Sequence, residues 1–299
     1  MQTKPCPSIQ RNGYLIGVNR DSLEITHVSE NCADLFEKPA SALLGQPLAA
    51  VSEVLMEQVK QFLLEPVFKE YFYDSVLKRT GYFIVKHFTS TDNVMIELTP
   101  INPLEVNYLY SIDLRQLFKM PLRDEDDFKK ATDMFLQAIA LYSGYEHVAL
   151  YRLESNVSWS LEGEIGSHEH SFADIMASLG DECTRSAFRY VENRDAQALK
   201  VLSLPAATPL DLSHSDWRSA SYELTQALET VNTRSLLCYP IVVLQKIWGM
   251  VVCFNTDVKP LHLRKIRDLY NLSSSYALSV SCYTRDEIFK TMASSKHER

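Results

Sequence analysis

Three pairs of apolar, strand-favouring runs joined by very short polar connections set the tightest limit on how this chain folds. Tyr14–Val18 is followed after Asn19-Arg-Asp-Ser22 by Leu23–Val28; Tyr82–Phe88 is followed after Ser90-Thr-Asp-Asn93 by Val94–Thr99; Ser235–Val243 is followed almost at once by Ile247–Asn255. Connections this short close antiparallel neighbours, because a parallel return needs a long crossover. Between the first two pairs, from Ser29 to Leu64, the pattern predicts short helical pieces. Ser29 or Asn31 caps Cys32–Phe36, and Leu43-Leu-Gly-Gln-Pro47 forms a turn. Val106–Leu114 supplies a closing strand.

Pro121 and the acidic run Asp124-Glu-Asp-Asp127 break this pattern, so the boundary between two domains is expected between Arg115 and Asp124, giving 1–120 and 121–299. An amphipathic helix from Phe128 to Tyr142, ended by Gly144, opens the second domain. Val148–Leu153 reads as a strand and Phe172–Glu192 as helical. A loop at Leu204–Ser215 leads to a helix over Asp216–Val231 and then to the third strand pair. Pro260–Phe289 reads as one long helix with apolar residues at Ile266, Leu269, Leu272, Tyr276, Leu278 and Val280. The expected class is α+β, with two domains, each an antiparallel sheet flanked by helices.

A net charge of −8, spread along the chain, disfavours nucleic acid and anionic membrane surfaces as partners. No window approaches the ~20 apolar residues needed to span a bilayer. The six cysteines (Cys6, Cys32, Cys183, Cys238, Cys253, Cys282) contain no CxxC pair, and the N-terminus has no basic region followed by an apolar stretch. The expected compartment is the reducing cytoplasm. His168 and His170 lack a third metal ligand and read as part of a solvated loop. The Ser, His and Asp residues of 211–216 are too close in sequence to converge on one reacting atom. Cys253, on an apolar strand, reads as a small buried hydrophobe. No catalytic set stands out, and the chain is expected not to be an enzyme.

Five stretches carry a family resemblance. Ser8-Ile-Gln-Arg-Asn-Gly-Tyr-Leu15, Ser29-Glu-Asn-Cys-Ala-Asp34 and Leu43-Leu-Gly-Gln-Pro-Leu48 resemble, in order, the opening motifs of bacteriophytochrome PAS domains. Gly144-Tyr-Glu-His-Val-Ala-Leu-Tyr-Arg-Leu153 and Ile247-Trp-Gly-Met-Val-Val-Cys253 resemble motifs of the GAF domain that follows in that family. The resemblance implies a PAS domain, then a GAF domain with a long C-terminal signalling helix. It also implies that Pro209–Ser215 belongs to an insertion that loops round the N-terminal segment as a knot and ties the two domains together.

The resemblance also says where a bilin pigment would sit, and there the chain departs from the family. The attachment cysteine lies well before the SIQ segment in the family, whereas Cys6 is two residues ahead of Ser8. Of the PASDIP motif only Asp181 persists, as a pocket carboxylate or as one that favours a helix dipole. Leu224 and Phe254 stand where two bilin-contacting histidines are expected. Of the propionate-binding groups, Arg218 and Ser221 match, while a second arginine falls near Ala196; Asp211 or Asp216 are the alternative partners for Arg218. Tyr151 matches a pocket tyrosine. An emptied tetrapyrrole pocket would be a costly void, and apolar side chains fill it.

The expected function is that of a sensory input module that has lost its bilin and acts through another ligand, by dimerisation or through partner contacts. No cofactor is expected; the alternative is a red/far-red photoreceptor holding biliverdin. The expected partners are a second copy, paired along the Ile266, Leu269, Leu272 and Tyr276 stripe of the last helix, and a C-terminal output domain or a separate regulatory protein.

Overall fold

The computed structural model describes residues 7–66, 71–73, 82–101, 122–155, 158–166, 176, 182 and 187–297. The chain forms two compact units, Met1–Leu109 with Ala196–Ser219, and Tyr110–Asp195 with Ala220–Arg299. Each is an antiparallel sheet flanked by helices, the α+β class implied by the short strand connections. The closing strand expected at 106–114 and most of the expected boundary lie outside the described residues.

Along the chain the first unit contains β1 (Ser8–Ile9), β2 (Tyr14–Asn19), β3 (Ile25–Ser29), α1 (Cys32–Phe36), α2 (Ala40–Leu43), α3 (Leu48–Val51), α4 (Glu53–Leu64), β4 (Tyr71–Tyr73), β5 (Tyr82–Ser90) and β6 (Asn93–Ile101). Ser52 starts α4 by accepting the Leu55 N–H. Strand β2 is buried on successive residues, Leu15 to Val18, so its sheet is covered on both faces. One face, with Ile16, Val18, Val85, Ile96 and Leu98, packs against α1 to α4. The other carries Ile9, Leu15, Phe88 and Met95.

One polar group on the helical side is out of keeping with its surroundings. Gln58 in α4 is 3% exposed, and among the described residues neither its amide oxygen nor its amide nitrogen has a hydrogen-bond partner. An unsatisfied buried polar group costs about 1–3 kcal/mol. Gln58→Met keeps the shape and removes both polar atoms, and is expected to raise stability by about 1–2 kcal/mol in urea denaturation. A loss of stability would show that the amide is solvated in solution.

The second face of the first sheet is covered by residues from far along the chain. The arm Ala196–Ser219 contributes β10 (Leu199–Ser203), which pairs with β3 on one side and β1 on the other. Past β10 the arm returns to the other side of the N-terminal segment. The Gln10 N–H donates to the Trp217 carbonyl at 2.6 Å, the Ser219 N–H donates to the Ser8 carbonyl at 3.1 Å, and Ile9 bridges to Arg218. These contacts correct two expectations. The arm holds a strand that its sequence did not reveal, and 216–221 is not helical, because its backbone is engaged by residues 8–10.

The second unit contains α5 (Glu125–Ser143), β7 (His147–Ser155), β8 (Ser158–Ile165), β9 (Arg189–Val191), α6 (Tyr222–Thr230), β11 (Ser235–Val243), β12 (Lys246–Asn255) and α7 (Leu263–His297). The sheet order is β8-β7-β12-β11-β9. Asp124 caps α5 by accepting the Asp127 N–H at 2.8 Å, and Gly144 ends it at φ 70°, a conformation that favours glycine. Residues 189–191, expected at the end of a helix, are a strand instead: Arg189, Tyr190 and Val191 pair with Cys238, Leu237 and Leu236. Pairing with a preformed edge overrides the local helical pattern.

The apolar stripe of α7 also differs from expectation. Ile266, Leu269, Leu272 and Tyr276 are at most 1% exposed within a single copy. Tyr276 stacks on Phe135 of α5 with ring centroids 4.2 Å apart, and its hydroxyl bonds the Thr132 hydroxyl at 2.7 Å. Tyr239 of β11 donates its hydroxyl to the Ile266 carbonyl at 2.8 Å. The stripe therefore covers the helix's own domain and is not offered to a second copy. Among the described residues no helix is long and apolar enough to cross a membrane.

Candidate functional site

Three of the residues singled out by resemblance meet in one apolar cluster of the second unit. Tyr151 on β7, Leu224 on α6 and Phe254 on β12 are 5%, 1% and 4% exposed. They pack with Leu228, Met250 and Val252, among others. The backbone dictates this meeting. Strands β7 and β12 pair in register, with Tyr151 opposite Met250 and His147 opposite Phe254, and the Phe254 ring stacks on His147 at 5.1 Å and 12°. A Cβ at Gly249 would lie 2.5 Å from the Tyr151 carbonyl oxygen, so glycine permits the close approach beside that tyrosine. Neither Leu224 nor Phe254 has a side-chain atom able to hydrogen-bond.

Ser221, matched to a propionate-binding serine, has a structural task. Its hydroxyl accepts the Leu224 N–H at 3.0 Å and so caps α6, fixing the first turn that carries Leu224 inward. Arg218 folds with the first unit, whereas Tyr151, Ser221, Leu224 and Phe254 fold with the second. The Arg218 guanidinium donates to the Ser213 carbonyl at 3.3 Å. Asp211 is held below the usual carboxylate range, first by the Ser213 N–H it accepts, with His214 and Arg218 adding smaller electrostatic contributions. Asp216, the other expected partner of Arg218, is bound by Lys86. Asp181, His168 and His170 lie outside the described residues.

Cys253 is a buried free thiol whose pKa burial drives well up, in keeping with the inert small hydrophobe its strand suggested. Cys238, in the same cluster as Leu224, is fully buried. Among the described residues no group of three or more His, Cys, Asp and Glu is placed to hold a metal ion.

Sequence reasoning passed over a second set of polar residues, on the arm-facing side of the first sheet. Lys86 on β5 stands opposite Glu97 on β6. Glu97 accepts the Ser215 hydroxyl on one oxygen and the Asp216 N–H on the other at 3.1 Å. Trp217, 2% exposed, donates its indole N–H to the Thr99 hydroxyl at 2.7 Å. Strand alternation put Lys86, Ser90, Asn93, Glu97 and Thr99 on one face, a signal that reads equally well as a solvated face.

The comparisons with known proteins agree with this architecture. Residues 3–100 match the PAS fold and residues 127–277 match the GAF domain. The chain belongs to the GAF-domain family and, with the PAS fold before it, is a phytochrome-type PAS–GAF sensory module. It is similar to the phytochrome-like protein Cph1 of Synechocystis, 21% identical over 289 residues that cover 88% of this chain and 38% of that protein. Phytochrome E of Ipomoea nil is 22% identical over 86% of this chain and 26% of its own length. The chain thus spans well under half the length of these curated relatives. Among solved structures, the chromophore-binding domain of an unusual bacteriophytochrome from R. palustris superposes with a TM-score of 0.74 at 18% identity, over 94% of this chain and 97% of that one. The photosensory core module of the Stigmatella aurantiaca phytochrome superposes with a TM-score of 0.75 at 20% identity, over 99% of this chain and 62% of that one. Identities this low speak for the shared fold.

Proposed function

We propose that this module is a phytochrome-type sensory input that no longer holds a bilin, acting in the cytoplasm through dimerisation, partner contacts or another ligand. The observation that carries this reading is the fate of the two histidine positions. Leu224 and Phe254 are packed with Tyr151 in one apolar core, and neither offers a bond to a pyrrole nitrogen or to a water held by the rings. A buried polar pigment edge facing these side chains would lose its hydrogen bonds, at about 1–3 kcal/mol for each group left unsatisfied. These two side chains support the reading of a module without a bilin. Ser221 supports the same reading, since α6 needs its hydroxyl as a cap.

The proposed domains are a PAS domain over 1–120 and a GAF domain over 121–299, the latter ending in the signalling helix α7. The flanking of residues 8–10 by both ends of the arm supports the family-type knot. The module itself is proposed to be non-enzymatic, with signal passing along α7 to an output domain or a separate regulatory protein. A homodimer through α7 needs side chains outside the buried stripe, such as Leu278, which is 67% exposed.

Mixing the purified protein with biliverdin tests the central point. No stable red absorption band is expected, and none that changes on illumination. A band that survives gel filtration and shifts under red light would instead make the chain a working photoreceptor.

A further inference from the structure

The polar stripe beneath the arm gathers two carboxyl groups around one ammonium group, away from water. Glu97 is 2% exposed and Asp216 8%. The Lys86 ammonium binds the Asp216 carboxylate and donates to the His214 carbonyl at 2.6 Å. Glu97 holds the arm directly, through the Ser215 hydroxyl and the Asp216 N–H. With both carboxyls ionised the cluster carries one uncompensated negative charge; with one proton retained it is neutral. Lys86 from β5 and Asp216 from the arm are the charged groups that act on Glu97. Among the described residues, the other titratable or charged groups on the arm are Lys200, Asp211, His214 and Arg218, and those against it are Arg11, Glu30 and His27 of β3, which meet the backbones of Gln197, Lys200 and Thr208.

The geometry points to a pH-sensitive latch: the Glu97, Asp216 and Lys86 cluster holds the arm on the first sheet firmly while the carboxyl pair keeps one proton and loosens it when that proton is lost. What the latch controls is the cover over Ile9, Leu15, Phe88 and Met95, which Leu210 and Leu212 of the arm help to form. Burial, followed by the negative charge of Asp216, pushes Glu97 up to about 7 from an ordinary 4.5, and burial raises Asp216 as well. The direction of the effect follows. A carboxyl raised in the docked state keeps a proton that the undocked state releases, so its contribution to docking is complete below the ordinary value and is lost as pH rises through about 7.

Hydrogen–deuterium exchange of the full chain at about pH 5.5 and pH 8, corrected for the intrinsic exchange rate, tests the latch on peptides covering 211–219. The arm's opening constant is expected to rise on the order of tenfold between the two conditions, while peptides from β11 and β12 serve as the internal reference. Glu97→Gln is expected to abolish the rise. If that variant does not fold, Asp216→Asn removes one carboxyl of the same pair and is also expected to lose it. An unchanged opening constant in the wild type overturns the proposal. So does a rise that persists in the variant, which would place the titrating group outside the Glu97 and Asp216 pair.

Discussion

Truncating Phe254 to alanine is expected to lower the stability of the second unit by about 3–5 kcal/mol, the usual cost of deleting a buried aromatic ring. The ring is 4% exposed, stacks on His147 and packs with Tyr151 and Leu224. No hydrogen bond is lost with it, so the cost is the lost transfer of apolar surface plus the cavity left behind. Strand β12 is the central partner of both β7 and β11, which limits how far the backbone can collapse into the space. Urea denaturation followed by circular dichroism measures the change. A loss below about 1 kcal/mol would mean that the position is loosely packed, removing the main support for the proposal that the module holds no bilin.

The second large effect is expected at Trp217. Trp217→Ala removes the largest fully buried side chain among the described residues and leaves the Thr99 hydroxyl without its indole partner. Phe or Trp to Ala typically costs about 3–5 kcal/mol, and here the loss falls on the attachment of the arm. Exchange in peptides spanning 208–219 and 7–10 is expected to accelerate strongly, because the Gln10 N–H donates to the Trp217 carbonyl and the Ser219 N–H to the Ser8 carbonyl. Peptides from β11 and β12 are expected to change little. Equal acceleration in both units would show that the arm does not open as a local element.

Much of the architecture was legible because its signals are local. Asp124 and Gly144 bracket α5 with a side-chain cap and a left-handed residue, both visible as residue types. The turn at Thr91 and Asp92 fixes the β5–β6 register outward from Ser90 and Asn93, so the facing of Lys86 and Glu97 follows by counting. What counting does not supply is the identity of whatever covers that face. The arm's strand β10 is a five-residue piece whose partners, β1 and β3, lie near the other end of the sequence, and nothing within Leu199–Ser203 announces them. Strand β8 was missed for a related reason: its half-exposed residues at the sheet edge carry polar and glycine positions that dilute the strand pattern. At the candidate site, family resemblance brought Tyr151, Leu224 and Phe254 to notice, and folding brought them together. Ser221 fell inside the helix expected over Asp216–Val231, so its role as the cap of α6 was not legible.

The arm's origin also bears on how the protein emerges from the ribosome. Ser8 and Ser219 bond each other although 211 positions separate them. The strands that build the first sheet are all translated by Ile101 except β10. At elongation rates of about 5–20 residues per second, the face carrying Leu15, Phe88 and Met95 waits on the order of ten seconds for its cover. Throughout that interval the nascent first half is a sheet with one finished face and one adhesive one, so the arm-facing side is the later of the two to mature.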